Sequence, residues 1–492
     1  MLKNPFLNGS VILVLTSILW MISSCAVNPV TGKKQLMLMS ESQEIALGKQ
    51  SDPAIVAQFG LYQDEEIQKF IDEKGQQMAA ISHRPNLPWE FKVVDSPVIN
   101  AFAVPGGYVY FTRGILAHFN NEAEFAGVLG HEIGHVTARH SAQQYSKMMA
   151  AQVGFVVGMV ASKELRQYAD VAGAGLQLLQ LKFGRDHESQ SDRLGVEYST
   201  KIGYDAHHMA NFFNTLKRMR QSSGAEPIPT FMSTHPDPGD RFNKVHQHAE
   251  EWQQGVDPST LAVNRDSYLD MIDGIVFGED PRQGYVYNNK FYHPDLKFQF
   301  PVPANWNTLN MPTAVQIGAP DQKGLIIMTL AQGSSLQQVA NDIIAKDSLK
   351  VIETRNINVH GNSAIAFLAD LDQDPQNVLR ILTYLIQYDG LIYKFHGLSK
   401  VADYPRFNTE FVRTMGEFRR LTDPSKINVK PNRVKVMTVP YDARLTDALK
   451  ALGAQTNEDL EEWSILNSML LDDPVKKGMK IKIVEKNFTL GR

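Results

Sequence analysis

The residues best fitted to do chemistry are His131-Glu132-Ile133-Gly134-His135. On a helix, positions i and i+4 project from one face a turn apart, so both imidazoles can reach a single ion. Glu132 lies beside them, placed to touch a water on that ion but not the ion itself. Phe125, Leu129 and Val136 offer an apolar flank that would bury such a helix. A hydrolytic zinc site takes three protein ligands and keeps one position open. The third should come from another helix, and Glu188 in His187-Glu188-Ser189-Gln190-Ser191-Asp192 is the best candidate. Asp192, one turn further on the same face, could accept the free N–H of a ligating histidine and fix its ring. Two imidazoles and a carboxylate, with no thiolate, suit one zinc ion per chain. The metal would lower the pKa of its water from ~16 towards ~7 and polarise a carbonyl. Glu132 would take the water's proton and pass it to a leaving amine.

A donor is still needed for the developing oxyanion. His235, in Ser233-Thr234-His235-Pro236, sits in a loop that could fold over the site, and Arg241 could orient substrate or brace that loop. Asn100, Ala101, Phe102, Ala103 and Val104 read as an edge strand that would pair with an extended peptide through its backbone. His140, nine residues after His131, is expected across the helix from the metal pair, in a structural hydrogen bond. His207 and His208 are expected at the solvated start of a helix.

The elements that must hold these groups follow from local pattern. Helices are expected over residues 40–50 and 64–81, each with acidic residues in its first turn. A strand is expected at 89–94, and two short strands flank Pro105-Gly106-Gly107 within 100–112. A long helix should run over 121–145, with further helices at 187–202, 206–222 and 241–254 and a Pro-rich loop at 225–240. Residues 147–181 are apolar and Gly/Ala-rich, and read as a buried or surface-dipping helix pair. Their run 150–161 is shorter than the about 20 residues a membrane span needs. After about residue 262 the texture changes. Strand-like runs at 325–330, 363–371, 379–388 and 391–398, with helices at 335–345 and 404–415, make a separate α+β domain. The aromatic residues of 285–300 read as its core.

The chain has 492 residues, which at roughly 150 per domain suggests about three domains. Apolar residues make up 43% and charged residues 21%, which argues against a disordered, fibrous or multi-spanning membrane protein. With 49 Lys+Arg against 53 Asp+Glu there is no basic excess for a nucleic-acid partner. The single cysteine rules out a disulfide within the chain. Lys3, the apolar stretch 11–22 and Ile22-Ser23-Ser24-Cys25 read as an export signal. The last four residues resemble the bacterial lipobox. That resemblance implies lipidation of Cys25 and a tether to a membrane face, and Ala26 after it favours the periplasmic face of the outer membrane.

The blocks Asn28-Pro29-Val30-Thr31-Gly32, Asn100 to Gly107, His131 to His135, Glu188 to Asp192 and His235-Pro236-Asp237-Pro238 occur in order. Together they resemble the zinc metallopeptidase family of the CAAX prenyl proteases and bacterial heat-shock membrane proteases (peptidase family M forty-eight), over about residues 26–262. Within it the likeness is to periplasmic lipoprotein members. The resemblance implies zinc ligands at His131, His135 and Glu188, the catalytic base at Glu132, and for His235 either transition-state support or capping of an idle metal. One departure is visible. Relatives often read Glu-x-Glu-Ala-Asp where this chain has Glu188-Ser189-Gln190-Ser191-Asp192.

Residues 291–306 are weakly similar to PsbP-like modules. Residues 433–485 resemble a degenerate LysM-type module, with Asp442-Ala443-Arg444 in place of the usual Gly-Asp-Thr turn. Glycan binding and a purely structural role both stay open for it. The expected plan is therefore multidomain. A leader over 1–24 precedes a mainly α-helical gluzincin-type zinc peptidase domain with a small β-sheet over 25–262. A linker over 263–284 leads to an α+β domain over 285–422, and a linker over 423–432 to a LysM-like α/β module over 433–486. The expected function is zinc-dependent endopeptidase action on misfolded or misassembled cell-envelope proteins. The rivals are a periplasmic chaperone or assembly factor with a capped metal, and a wall-associated lipoprotein that binds peptidoglycan.

Overall fold

Side-chain caps from Ser40, Asp64 and Asn121, each followed by an acidic first turn, start three of the helices near where the sequence places them. A computed structural model describes residues 25–146, 183–222, 230–236, 240–372 and 378–488. The expected leader, the apolar stretch 147–181 and parts of the Pro-rich loop lie outside the described residues. The chain divides into two compact units. The first is Met1–Val56, Gly60–Gly278 and Arg433–Glu485, and the second is Ala57–Phe59, Glu279–Asn432 and Lys486–Arg492.

Unit one begins with a paired β1 (Cys25–Val27) and β2 (Lys34–Leu36). α1 (Glu41–Phe59) opens on a capping box in which Ser40 and Gln43 satisfy each other's backbone N–H groups. α2 (Glu65–Ala80) is capped by Asp64. β3 (Glu90–Val94) lies parallel to β5 (Tyr108–Thr112), and β4 (Ala101–Val104) lies antiparallel on the other side, giving the order β3-β5-β4. β4 is thus an edge of this sheet. α3 (Arg113–His118) leads to α4 (Glu122–Thr137), whose Asn121 cap accepts from Glu124 N–H and whose every residue is buried. α5 (Arg185–Lys201), α6 (His207–Ser222), α7 (Thr230–Thr234), α8 (Arg241–Trp252) and α9 (Arg265–Ile272) complete the helical layer. Ile71, Phe91, Phe111, Phe125, Leu129, Tyr198 and Phe212 share one core between sheet and helices.

Three expectations change. The long helix over 121–145 is broken: α4 stops at Thr137, Arg139 adopts a left-handed φ of 62°, and helical structure resumes at His140. The strained residue is held by a buried ion network. Arg139 Nε donates to Glu44 Oε1 at 3.1 Å and its Nη2 to Met39 O at 2.8 Å, while Arg84 Nη2 donates to Glu44 Oε2 at 2.7 Å. Second, the expected linker 263–284 begins with α9, whose Tyr268, Leu269 and Ile272 sit in the unit-one core with Ile275 and Val276. That apolar spacing buries one face of a helix, and Tyr268 Oη donates to Leu116 O at 2.8 Å.

Third, residues 433–485 belong to unit one. Strands Arg433–Thr438 and Lys480–Glu485 pair antiparallel, with helices Leu445–Ala451 and Asn457–Leu466 between them in the chain. Leu445, Leu449, Trp463, Leu466 and Ile481 form the piece's own core. Its Lys482 is fully buried and donates to Ala117 O at 2.9 Å and Phe119 O at 2.7 Å, just ahead of α4. Asn120 Nδ2 donates to Ser468 Oγ at 2.8 Å, and Arg218 Nη1 to Met469 O at 2.8 Å.

Unit two is β-rich. Its larger sheet has seven antiparallel strands, in the order Lys350–Val359, Asn362–Asp372, Val378–Tyr388, Leu391–Lys400, Gly324–Ala331, Ala314–Gly318, Asn307–Met311. Helices Leu336–Lys346 and Tyr404–Gly416 accompany it, as the sequence pattern predicts. Phe291, Phe298 and Phe300 are buried in its core, where the aromatic stretch 285–300 was expected.

Candidate metal centre

Helices α4 and α5 meet at two glycines. A Cβ on Gly130 would stand 2.9 Å from Gly195 Cα, and one on Gly195 would stand 2.9 Å from Gly127 O. Side chains at either position would force the backbones apart, so this close approach is what brings the Glu188 face of α5 to the His131 face of α4. The ligand atoms of His131, His135, Glu188 and His235 all lie within 4.8 Å of one another, and all four residues are buried. His131 Nε2 and His135 Nε2 are 3.0 Å apart, and Glu188 Oε1 is 3.4 Å from His135 Nε2. His235 Nδ1, carried just past α7, stands 3.2 Å from His131 Nε2 and 3.1 Å from Glu188 Oε1. Glu132 is fully buried, and neither of its carboxylate oxygens has a hydrogen-bond partner.

The surroundings hold the rings. His131 Nδ1 is 2.9 Å from Asp192 Oδ1. Asp192 in turn accepts from Arg241, Nη2 to Oδ1 at 2.6 Å and Nε to Oδ2 at 2.8 Å. The Arg241 guanidinium lies over the Phe213 ring, 3.8 Å from its centroid. It braces Asp192, a role distinct from the substrate-orienting and loop-bracing roles expected for it. His135 Nδ1 is 3.1 Å from His140 Nδ1, because the break at Arg139 turns His140 back towards the metal pair. The expectation that His140 lies across the helix assumed an unbroken helix, and it is overturned.

Charge follows burial. Desolvation raises the Glu132 carboxyl above its ordinary range, against the pull of His235 and His131. Burial opposes ionisation of Glu188 too, but the neighbouring His235 and His131 hold it well below the usual range. Asp192 is lowered despite its burial, chiefly by Arg241. Burial, with the neighbouring His187, pushes His140 down to about 3.

These residues fit a divalent cation. With His131 Nδ1–H directed at Asp192, the His131 Nε2 lone pair points into the cluster beside the other donors. Converging lone pairs and carboxylates repel in a buried space unless a positive ion lies among them. An imidazole-and-carboxylate donor set matches zinc. β4 presents Ala101, Phe102 and Ala103, all buried, and Ser141 Oγ donates to Ala103 O at 3.3 Å. Asn100 Oδ1 is buried without a hydrogen-bond partner. Cys25 opens β1, and its side chain lies outside what is described. Sequence reasoning missed the Arg84–Glu44–Arg139 network and the return of His140. No glycine or proline marks the break at 138–139, so no local signal announced it.

Residues 65–249, less than half of the chain, match the model of Peptidase family M48. Among curated relatives, the beta-barrel assembly-enhancing protease of Yersinia pestis is 30% identical over 221 residues, covering 43% of this chain and 45% of that one. The mitochondrial metalloendopeptidase OMA1 of Arabidopsis thaliana is 30% identical over 194 residues, covering 39% and 38%. The chain thus spans less than half the length of these relatives. A solution structure of cyanobacterial PsbP from Synechocystis is similar at a TM-score of 0.23 and 12% identity, covering 27% of this chain and 91% of that one. At that score the likeness carries no argument. Among the described residues, no helix is long and apolar enough to cross a membrane.

Proposed function

We propose that this chain is a zinc-dependent endopeptidase that acts on misfolded or misassembled proteins of the bacterial cell envelope. The observation that carries the reading is the buried convergence of His131, His135, Glu188 and His235 beside a Glu132 carboxylate that no hydrogen bond occupies. His131, His135 and Glu188 would hold one zinc ion. When bound, zinc acidifies water and polarises a carbonyl. Glu132 removes a proton from the attacking water and delivers it to the departing amine; its raised pKa suits both halves of that task. Asp192, fixed by Arg241, orients His131. The outer edge of β4, with Asn100 at its start, takes an extended stretch of substrate by main-chain pairing. The names of the bacterial relatives support β-barrel proteins in assembly as the substrate class. Anchoring through a lipid on Cys25 completes this picture of an outer-membrane-tethered enzyme.

One observation favours a second reading. His235 stands within the donor set, and four protein donors leave no position for water. In that arrangement the chain holds clients without cutting them, as an assembly factor would. His235 must then withdraw before hydrolysis and is free to hydrogen-bond the developing oxyanion. The test is metal analysis with casein and self-cleavage assays on the purified chain, on Glu132→Gln and on His235→Ala. One zinc per chain in the parent and in Glu132→Gln, with cleavage only where Glu132 is present, is expected. A parent that binds no zinc, or a Glu132→Gln variant that cleaves normally, overturns the endopeptidase. A Glu132→Gln protein that fully rescues a deletion strain selects the assembly factor.

A further inference from the structure

We propose that His140, with Gln190, fixes the tautomer and orientation of His135, and so acts as a positioning residue of the metal centre. The inference rests on the zinc reading above. His135 directs Nε2 into the donor cluster and Nδ1 away from it, to within 3.1 Å of His140 Nδ1. Two ring nitrogens at that distance share one hydrogen, so one donates and the other accepts. The far side of His140 decides which. Its Nε2 lies 3.1 Å from Gln190 Oε1, an oxygen that can only accept. Nε2 therefore carries the hydrogen, and Nδ1 of the neutral ring keeps its lone pair. His135 Nδ1–H donates to that lone pair, which leaves the His135 Nε2 lone pair facing the ion. Ser191 Oγ, 3.3 Å from His140 Nδ1, is able to donate to the same nitrogen.

The opposite polarity is self-defeating. A hydrogen on His140 Nδ1 would place the His135 hydrogen on Nε2, aimed at His131 Nε2 only 3.0 Å away, and His135 could not ligate. The His140 ring is also held in place. It is 1% exposed and stacks on His187 with centroids 4.2 Å apart and planes 15° apart. The two histidine ligands thus have separate supports. His131 leans on a carboxylate, Asp192, and His135 on a neutral chain that ends at the Gln190 amide. The backbone reversal at Arg139 is what makes the second support reachable.

The test measures zinc affinity rather than turnover, by competition with a chromophoric chelator on the purified full chain. His140→Leu fills the space without an acceptor and should weaken zinc binding about 10–100-fold. His140→Asn, whose Oδ1 can stand near the lost Nδ1, should recover most of that loss. Gln190→Leu leaves His140 in place but removes the oxygen that sets the direction, and should weaken binding by less than His140→Leu does. A merely structural role would lower the unfolding temperature of the metal-free protein and leave zinc affinity alone. If His140→Leu does not fold, His140→Asn and Gln190→Leu decide, with parental affinity in Gln190→Leu counting against the proposal. Parental affinity in His140→Leu, or equal loss in His140→Asn and His140→Leu, overturns it. A parent chain that takes up no zinc removes the zinc reading as well, so the two failures are told apart.

Discussion

Glu44 and Glu132 are both buried glutamates of unit one, 1% and 0% exposed, yet they are treated in opposite ways. Each oxygen of Glu44 receives an arginine: Arg139 Nε on Oε1 and Arg84 Nη2 on Oε2. Neither oxygen of Glu132 receives a hydrogen bond. A carboxylate removed from water and fully paired fixes its surroundings, here the turn that ends α4. One left without such partners is a standing destabilisation that a fold keeps only where reactivity is needed. Satisfaction of hydrogen bonds, more than burial, therefore separates these two glutamates.

The sharpest break of that contrast is Glu132→Gln. Proteolysis should fall about 10²–10⁴-fold, the range for loss of a general base, while zinc stays bound. Activity within tenfold of the parent would place the base elsewhere. The same substitution carries a stability sign. A carboxyl whose folded pKa is raised binds its proton more tightly when folded, so its contribution is lost as pH rises through that pKa. At pH 7 the metal-free Glu132→Gln chain should then be at least as stable as the parent. Glu44→Ala should do the reverse. It removes the carboxylate that two buried arginines share, leaving Arg84 only Glu41 as an acid partner, and should lower folding stability by about 3–5 kcal/mol in chemical denaturation. An unchanged denaturation midpoint would remove the contrast.

Removing zinc from the parent should lower the unfolding free energy by about 2.7 kcal/mol relative to a sample at a hundredfold excess over its dissociation constant. A metal-independent melting temperature would show that these donors do not grip an ion. The smallest effect is in the pH profile. Because burial raises Glu132, kcat/KM should decline with falling pH from above the ordinary glutamate value of about 4.3. A profile flat down to that value would show that burial does not raise the Glu132 carboxyl in the working enzyme.

Much of the site was legible because its parts are short and local. An i, i+4 histidine pair and a carboxylate motif on a second helix announce their geometry through helical period alone. The boundaries of α2, β3 and α6 followed for the same reason, from caps and alternation. What stayed hidden depends on tertiary partners. Arg139 takes a left-handed backbone only because Glu44, nearly a hundred residues earlier, holds its guanidinium. Lys482 looks like an ordinary strand lysine until the carbonyls of Ala117 and Phe119 are brought to it. α9 was missed because a change in composition near residue 262 masked a short amphipathic helix.

The pairing of Lys482 with the two carbonyls ahead of α4 has a consequence for synthesis. Residue 482 follows the histidines of α4 by about 350 positions, so until the tail has joined, the helix that carries them lacks the clasp at its leading end. Competence to cleave would then arrive late, once the tail has emerged and folded back. A shortened chain made to probe the tail alone would disturb the blade along with the handle.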